Sequence, residues 1–196
     1  MFQTSRYYCF LFCRISKIAM IDMDALEVLT EEHRVILKIV EVLNNSAKKL
    51  QAREEVSTEF FEKILDAMRN FVEKCHHGKE EMALFPLIRA RGGREAKAVS
   101  LLIEEHEKGR AFGKALDEAV KKNEMDNIIK SVNGYVGLLP QHVKKENVVF
   151  PTWINSLSDE TKKELFKRFE EIEETVIGLG KHQEYIQTVE KLKKSL

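Results

Sequence analysis

Only three prolines, nine glycines and three cysteines occur among 196 residues. So few chain-breakers and turn-formers argue against a strand-rich sandwich and favour long helices. The cysteines (Cys9, Cys13 and Cys75) are sparse and odd in number, unlike the framework of a disulfide-stapled secreted domain. A reducing, cytoplasmic setting is therefore expected. No sign of charge is in excess: 32 Lys and Arg balance 32 Asp and Glu, which leaves no basic surplus for a nucleic acid. No apolar run approaches the roughly 18 residues of a membrane span. The nearest, Tyr7 to Cys13, is followed at once by Arg14 and Lys17 and by no small-residue cleavage site, which argues against a signal peptide. Residues 1–22 are read instead as a weakly ordered extension, or as residues upstream of a later initiator at Met20 or Met23.

What is abundant is charge, 33% of residues, laid between apolar residues at helical spacing. The length suits one domain with a continuous core. The spacing predicts a first helix from about Asp24 to Leu50, with an inward stripe of Leu26, Leu29, His33, Ile36, Val40, Leu43 and Ala47. A second, capped by Ser57 or Thr58, carries Phe61, Leu65, Met68, Val72, His76, Glu80, Ala83 and Leu87 and stops at Gly92-Gly93. A third, from near Arg94, carries Val99, Leu102, His106, Gly113, Leu116 and Val120. A fourth, from about Met125, carries Ile128, Val132, Tyr135, Leu139, His142, Glu146 and Val149. A fifth, capped by Ser158, runs through Leu165, Phe169 and Ile172 and is expected to pack across one end or side. Short connections make the architecture an all-α, up-down-up-down four-helix bundle over residues 23–176. A helical tail, residues 177–196, follows with Tyr185, Val189 and Leu192 in register.

The chain also repeats weakly. Glu-Glu-His stands at 31–33 and 104–106, and His-x-x-Lys-Glu followed by Phe-Pro stands at 76–86 and 142–151. Two such hairpins related by a pseudo-twofold would bring all four motifs to one place. The second copy is one residue shorter between its Glu and its Pro.

Six polar residues occupy positions that the apolar stripes assign to the interior: His33, His76, Glu80, His106, His142 and Glu146. An ionised carboxylate is not buried without a partner. Six such groups on four facing helices call for a shared one. His76/Glu80 and His142/Glu146 are one helical turn apart and point the same way, so a His nitrogen and a Glu oxygen can meet on one ion while the second oxygen reaches another. Mixed imidazole and carboxylate ligands suit iron, with manganese or zinc open on ligand type. Two such ions would sit about 3.5–4 Å apart. The alternative is a metal-free bundle with buried His–Glu hydrogen bonds.

The segments Glu31-Glu32-His33-Arg34, His76-His77-Gly78-Lys79-Glu80-Glu81 with Leu84-Phe85-Pro86, Glu105-His106-Glu107-Lys108-Gly109-Arg110, and His142-Val143-Lys144-Lys145-Glu146 with Phe150-Pro151 resemble hemerythrin-like HHE domains over about residues 24–175. That resemblance implies two iron ions, oxo- or hydroxo-bridged, with His33, His76, His106 and His142 as terminal ligands and Glu80 and Glu146 as bridges. It departs from oxygen-carrying hemerythrins, which place a second histidine four residues after the one on the third helix. Arg110 stands there, and Asn147 stands where their last carboxylate would be. A centre with so few histidines is expected to react with or sense oxygen, nitric oxide or peroxide, or to handle iron under oxidative or nitrosative stress, rather than carry oxygen reversibly. An iron or redox sensor, and a structural or partner-binding bundle with a relict site, are the alternatives.

Around the six, His77 is expected to lie about 100° away on its helix, beside the site or exposed rather than a ligand. His182 is expected to be solvated. Cys75 is read as a packing residue. Tyr135 is read as a hydrogen-bond donor to a bound oxygen species or as a core tyrosine. Glu31, Glu32, Glu81, Glu104 and Glu105 are candidates to orient the imidazoles, most of them solvated. Pro140 could tilt His142, while Pro86 and Pro151 either kink their helices or mark their ends.

Overall fold

The computed structural model describes residues 24–196, and among them there are helices and no strands. The expectations for residues 1–22, with Cys9 and Cys13, lie outside the described residues.

Helix α1, Ala25–Gln51, starts where Asp24 accepts from the backbone amides of Leu26 and Glu27 while the Glu27 side chain accepts from the Asp24 amide. This reciprocal cap satisfies donors that a helix start leaves free. Helix α2 spans residues 58–89 behind Ser57, whose hydroxyl accepts from the Phe60 amide. Gly92 and Gly93, with φ of +73° and +62°, turn the chain in a backbone region closed to most residues. Helix α3 (Gly93–Lys122) ends on left-handed Asn123. Helix α4 is Met125–Asn155, α5 is Asp159–Val176 behind Ser158, and α6 is Lys181–Ser195.

Helices α1 to α4 form the up-down-up-down bundle, with α1 and α3 each packed along α4. Helix α5 lies on the side made by α1 and α2, and α6 packs on α1 and the first turns of α2. Two apolar layers fill the interior. One holds Ile36, Leu43, Phe61, Phe71, Leu116 and Val132; the other holds Leu29, Leu84, Phe85, Leu102, Phe150 and Trp153. Val189 and Leu192 of α6 complete the first layer, and Leu165, Phe169 and Ile172 of α5 complete the second. The polar residues are held between these two layers.

Helix α2 is not regular. It is α-helical over Thr58–Ala67, π-helical over Met68–His76, α-helical over His77–Lys79, π-helical over Glu80–Leu84, and α-helical again over Phe85–Arg89. A π-turn accommodates an extra residue per turn and recurs at functional sites. Its effect explains the unequal motif lengths. The wide turn Glu80–Leu84 absorbs the residue by which the first motif exceeds the second, so that Phe85 and Phe150 end up in contact at 6.2 Å between ring centroids. It also corrects an expectation: Leu87 is exposed, and Ile88 takes the inward place. Neither Pro86 nor Pro151 ends its helix. Pro86 opens the last segment of α2, and Pro140 and Pro151 lie within α4.

Candidate metal centre

All six expected residues converge in the layer between the two apolar plugs, and none is more than 2% exposed. The two carboxylates divide their oxygens between two groups of imidazoles. Glu80 turns Oε1 to His76 Nε2 at 3.2 Å and Oε2 to His106 Nε2 at 3.3 Å. Glu146 turns Oε2 to His33 Nε2 at 3.1 Å and Oε1 to His142 Nε2 at 3.0 Å. Ligand-capable atoms of His33, His76, Glu80 and Glu146 lie within 4.8 Å of one another, as do those of His77, Glu80, His106 and His142.

Each of these imidazoles is fixed from behind through Nδ1. His33 donates to Asn147 Oδ1 at 2.8 Å, His76 to Glu32 at 2.9 Å, His106 to Glu81 at 2.6 Å and His142 to Glu105 at 3.0 Å. The pattern is that of the sequence repeat. The residue before each Glu-Glu-His histidine holds the histidine of a His/Glu pair, and the residue after each inner Glu holds a Glu-Glu-His histidine. Lys79 and Lys145, one position before Glu80 and Glu146, bond to Glu32 and Glu105. Phe85 stacks on His106 and Phe150 on His33, at 5.8 and 6.0 Å. Of the five acidic residues expected to orient imidazoles, Glu32, Glu81 and Glu105 do so, while Glu31 pairs with Arg34 and Glu104 is exposed.

The structure decides between the alternatives for His77 and Tyr135 and overturns the expectation for His182. His77 is buried, 2% exposed; its Nδ1 donates to Glu73 at 3.0 Å and its ring stacks on His106 at 3.7 Å. The π-turn ahead of it subtends a smaller angle per residue than an α-turn, so the two neighbouring histidines both face inward. His182 is not simply solvated: its Nε2 lies 3.1 Å from Glu32, tying α6 to the carboxylate that holds His76. Glu32 is thereby a junction, bonded also to buried Lys79, which continues to Glu173 of α5 at 2.8 Å. Tyr135 is a core residue whose buried hydroxyl has no protein partner. Cys75 is buried as expected, and burial with the nearby Glu32 carboxylate pushes its thiol well up.

The electrostatics follow from that packing. Burial opposes charge on His33 and His106, but the Glu146 and Glu80 carboxylates outweigh it and raise them to about 10 and about 11. Burial likewise opposes charge on Glu80, yet the surrounding imidazoles hold it well below the usual carboxylate range, and Glu146 is lowered too. His77 goes the other way. Burial and the neighbouring His106 depress it to about 4, against the pull of Glu73.

Nε2 of His33, His76 and His77 and all four oxygens of Glu80 and Glu146 are buried without a hydrogen bond. Leaving one such group unsatisfied costs about 1–3 kcal/mol. Seven such atoms, in two adjoining clusters of ligand-capable groups, could hold cations, and nitrogen and carboxylate donors of this kind suit iron. A family profile described as the hemerythrin HHE cation-binding domain matches residues 24–153. The chain belongs to that family. Among curated proteins, the hemerythrin-domain chain resembles the uncharacterized protein Rv1995 of Mycobacterium tuberculosis and the uncharacterized protein Mb2018 of Mycobacterium bovis. Each is 23% identical over 187 residues, covering 90% of this chain and 71% of the relative. No solved structure matches the chain.

Proposed function

We propose that this chain is a non-haem di-iron protein that interacts with oxygen, nitric oxide or peroxide, or handles iron under oxidative or nitrosative stress. The observation that carries this reading is the division of oxygens by Glu80 and Glu146. Each carboxylate gives one oxygen to the His33/His76 side and the other to the His106/His142 side, the geometry of a bridge between two ions. His33, His76, His106 and His142 would supply terminal nitrogens. An iron pair so held would supply redox electrons and a coordination position for a small diatomic or peroxide molecule. The protein's part is orientation and exclusion. Asn147, Glu32, Glu81 and Glu105 lock the ring nitrogens inward, and the Phe85 and Phe150 rings help close the centre to water.

The test is anaerobic loading with ferrous iron followed by exposure to air. Binding of about two irons per chain with new near-ultraviolet oxo-bridge absorption is expected. Protein that stays colourless and holds less than one iron overturns the reading.

A second reading, an iron or redox sensor whose fold responds to metal occupancy, is favoured by the junction at Glu32, which links His76 to α5 through Lys79 and to α6 through His182. Helicity and protease resistance that are equal with and without iron would exclude it.

A further inference from the structure

At three positions the repeat that organises the centre exchanges apolar residues in one half for polar ones in the other. By place in the motifs, His77 corresponds to Val143, each one residue after a His/Glu-pair histidine. Glu73 corresponds to Leu139, three residues before. Arg110 corresponds to Leu37, each four residues after a Glu-Glu-His histidine. In one half these positions are apolar; in the other they are polar and bonded to one another. His77 Nδ1 donates to Glu73 at 3.0 Å, and Arg110 Nε donates to the same Glu73 carboxylate at 3.0 Å. Arg110 also reaches Glu81, which holds His106.

His77 thus shares three features with His33 and His76. Its Nδ1 is anchored by an acceptor on the outer side. Its Nε2 is buried and has no partner. A ligand-capable atom lies within 4.8 Å of those of Glu80, His106 and His142. A packing histidine needs neither a dedicated carboxylate nor a lone pair left facing a cluster of donors. Building both, with an arginine to fix the carboxylate, is the arrangement that orients a metal-ligating imidazole.

From this we infer that His77 is a fifth imidazole ligand, which makes the two ion positions unequal: His77, His106 and His142 serve one, and His33 and His76 serve the other. This rests on the di-iron reading above. His77 and His106 stack with their planes 14° apart, so joint coordination would require the His77 ring to tilt out of that stack.

The full chain, loaded anaerobically with ferrous or cobalt(II) ions alone, gives a direct count by paramagnetic proton NMR, because each coordinated imidazole carries one exchangeable, hyperfine-shifted Nδ1 proton. Five such resonances are expected, one for each anchored ring. The variant His77→Phe, which keeps a flat ring against His106, is expected to lose one of them while still binding two ions. Four resonances from wild-type protein that holds two ions overturn the assignment and leave the di-iron reading intact. A chain that binds no ions overturns both. Mössbauer spectra of the iron-loaded protein supply a second readout that does not depend on how any variant folds. Two unequal ferrous doublets are expected, and a single doublet for both irons counts against the assignment.

Discussion

Glu32 accepts the Nδ1 proton of His76 at 2.9 Å from the position immediately before His33, so one turn of α1 both presents an inner imidazole and fixes another on the facing helix. Glu105 does the same for His142 from the position before His106. Two short segments thereby present two of the four imidazoles and fix the other two.

Replacing either carboxylate by glutamine should loosen metal retention by about 10- to 100-fold, the usual effect of losing such a support. The two variants should differ in stability. Glu32→Gln also leaves Lys79, 1% exposed, with only Glu173, whereas the Lys145 partner of Glu105 is 56% exposed. Breaking a buried pair costs about 3–5 kcal/mol, so Glu32→Gln should unfold at clearly lower denaturant and Glu105→Gln close to wild type. Urea titrations of the two variants check this.

Glu80 lies in both groups of ligand-capable atoms. Glu80→Ala is therefore expected to lose both ions together, whereas loss of a terminal histidine such as His33 should weaken one more than the other. Metal analysis after gel filtration distinguishes the two. Retention of one full ion by Glu80→Ala would contradict the shared carboxylate.

The metal-free protein should be most stable near pH 6. His33 and His106, raised from 6.5 to about 10 and about 11, contribute stability that is complete below pH 6.5 and fades as pH rises through those values. The lowered carboxylates of Glu80 and Glu146 contribute above their ordinary value of 4.5 and lose that contribution as pH falls. His77, depressed from 6.5 to about 4, also disfavours the fold as pH falls below 6.5. Metal must displace protons from the imidazoles, so metal affinity should instead rise from pH 6 to pH 8. Melting temperatures with and without metal across that range should show the opposite slopes, and parallel slopes would refute the prediction.

Tyr135 carries a buried hydroxyl with no protein partner, so Tyr135→Phe removes an unsatisfied group rather than a bond. The variant should equal wild type in stability or exceed it by about 1 kcal/mol, measured on metal-free protein by thermal or urea unfolding. A loss of more than that would show that the hydroxyl has a partner in solution.

The bundle was legible because the apolar residues of α1, α3, α4 and α5 keep a period near 3.6 and the caps Asp24, Ser57 and Ser158 stand where the stripes begin. The six inward ionisable residues were legible for the same reason, as interruptions of those stripes. Leu87 was misplaced, and His77 was left between a buried and an exposed place, because both lie beyond a π-turn, where regular spacing no longer reports direction. Two signals for that irregularity were present: the His76-His77 doublet, and the extra residue between Glu80 and Pro86 compared with Glu146 and Pro151. His182 could not be placed from spacing, because its contact with Glu32 depends on how α6 docks, a relation across 150 positions of chain.

The wide turn at Glu80–Leu84 acts as a register buffer. In a continuous α-helix, one added residue would swing every later side chain about 100° around the axis, carrying Phe85 away from His106. Here the surplus is confined to a single loosened turn whose Met82 is 51% exposed. Shortening the chain at Met82 would leave a regular helix with the motif length of the other half, so a one-residue deletion there should let Phe85 keep its seat on His106.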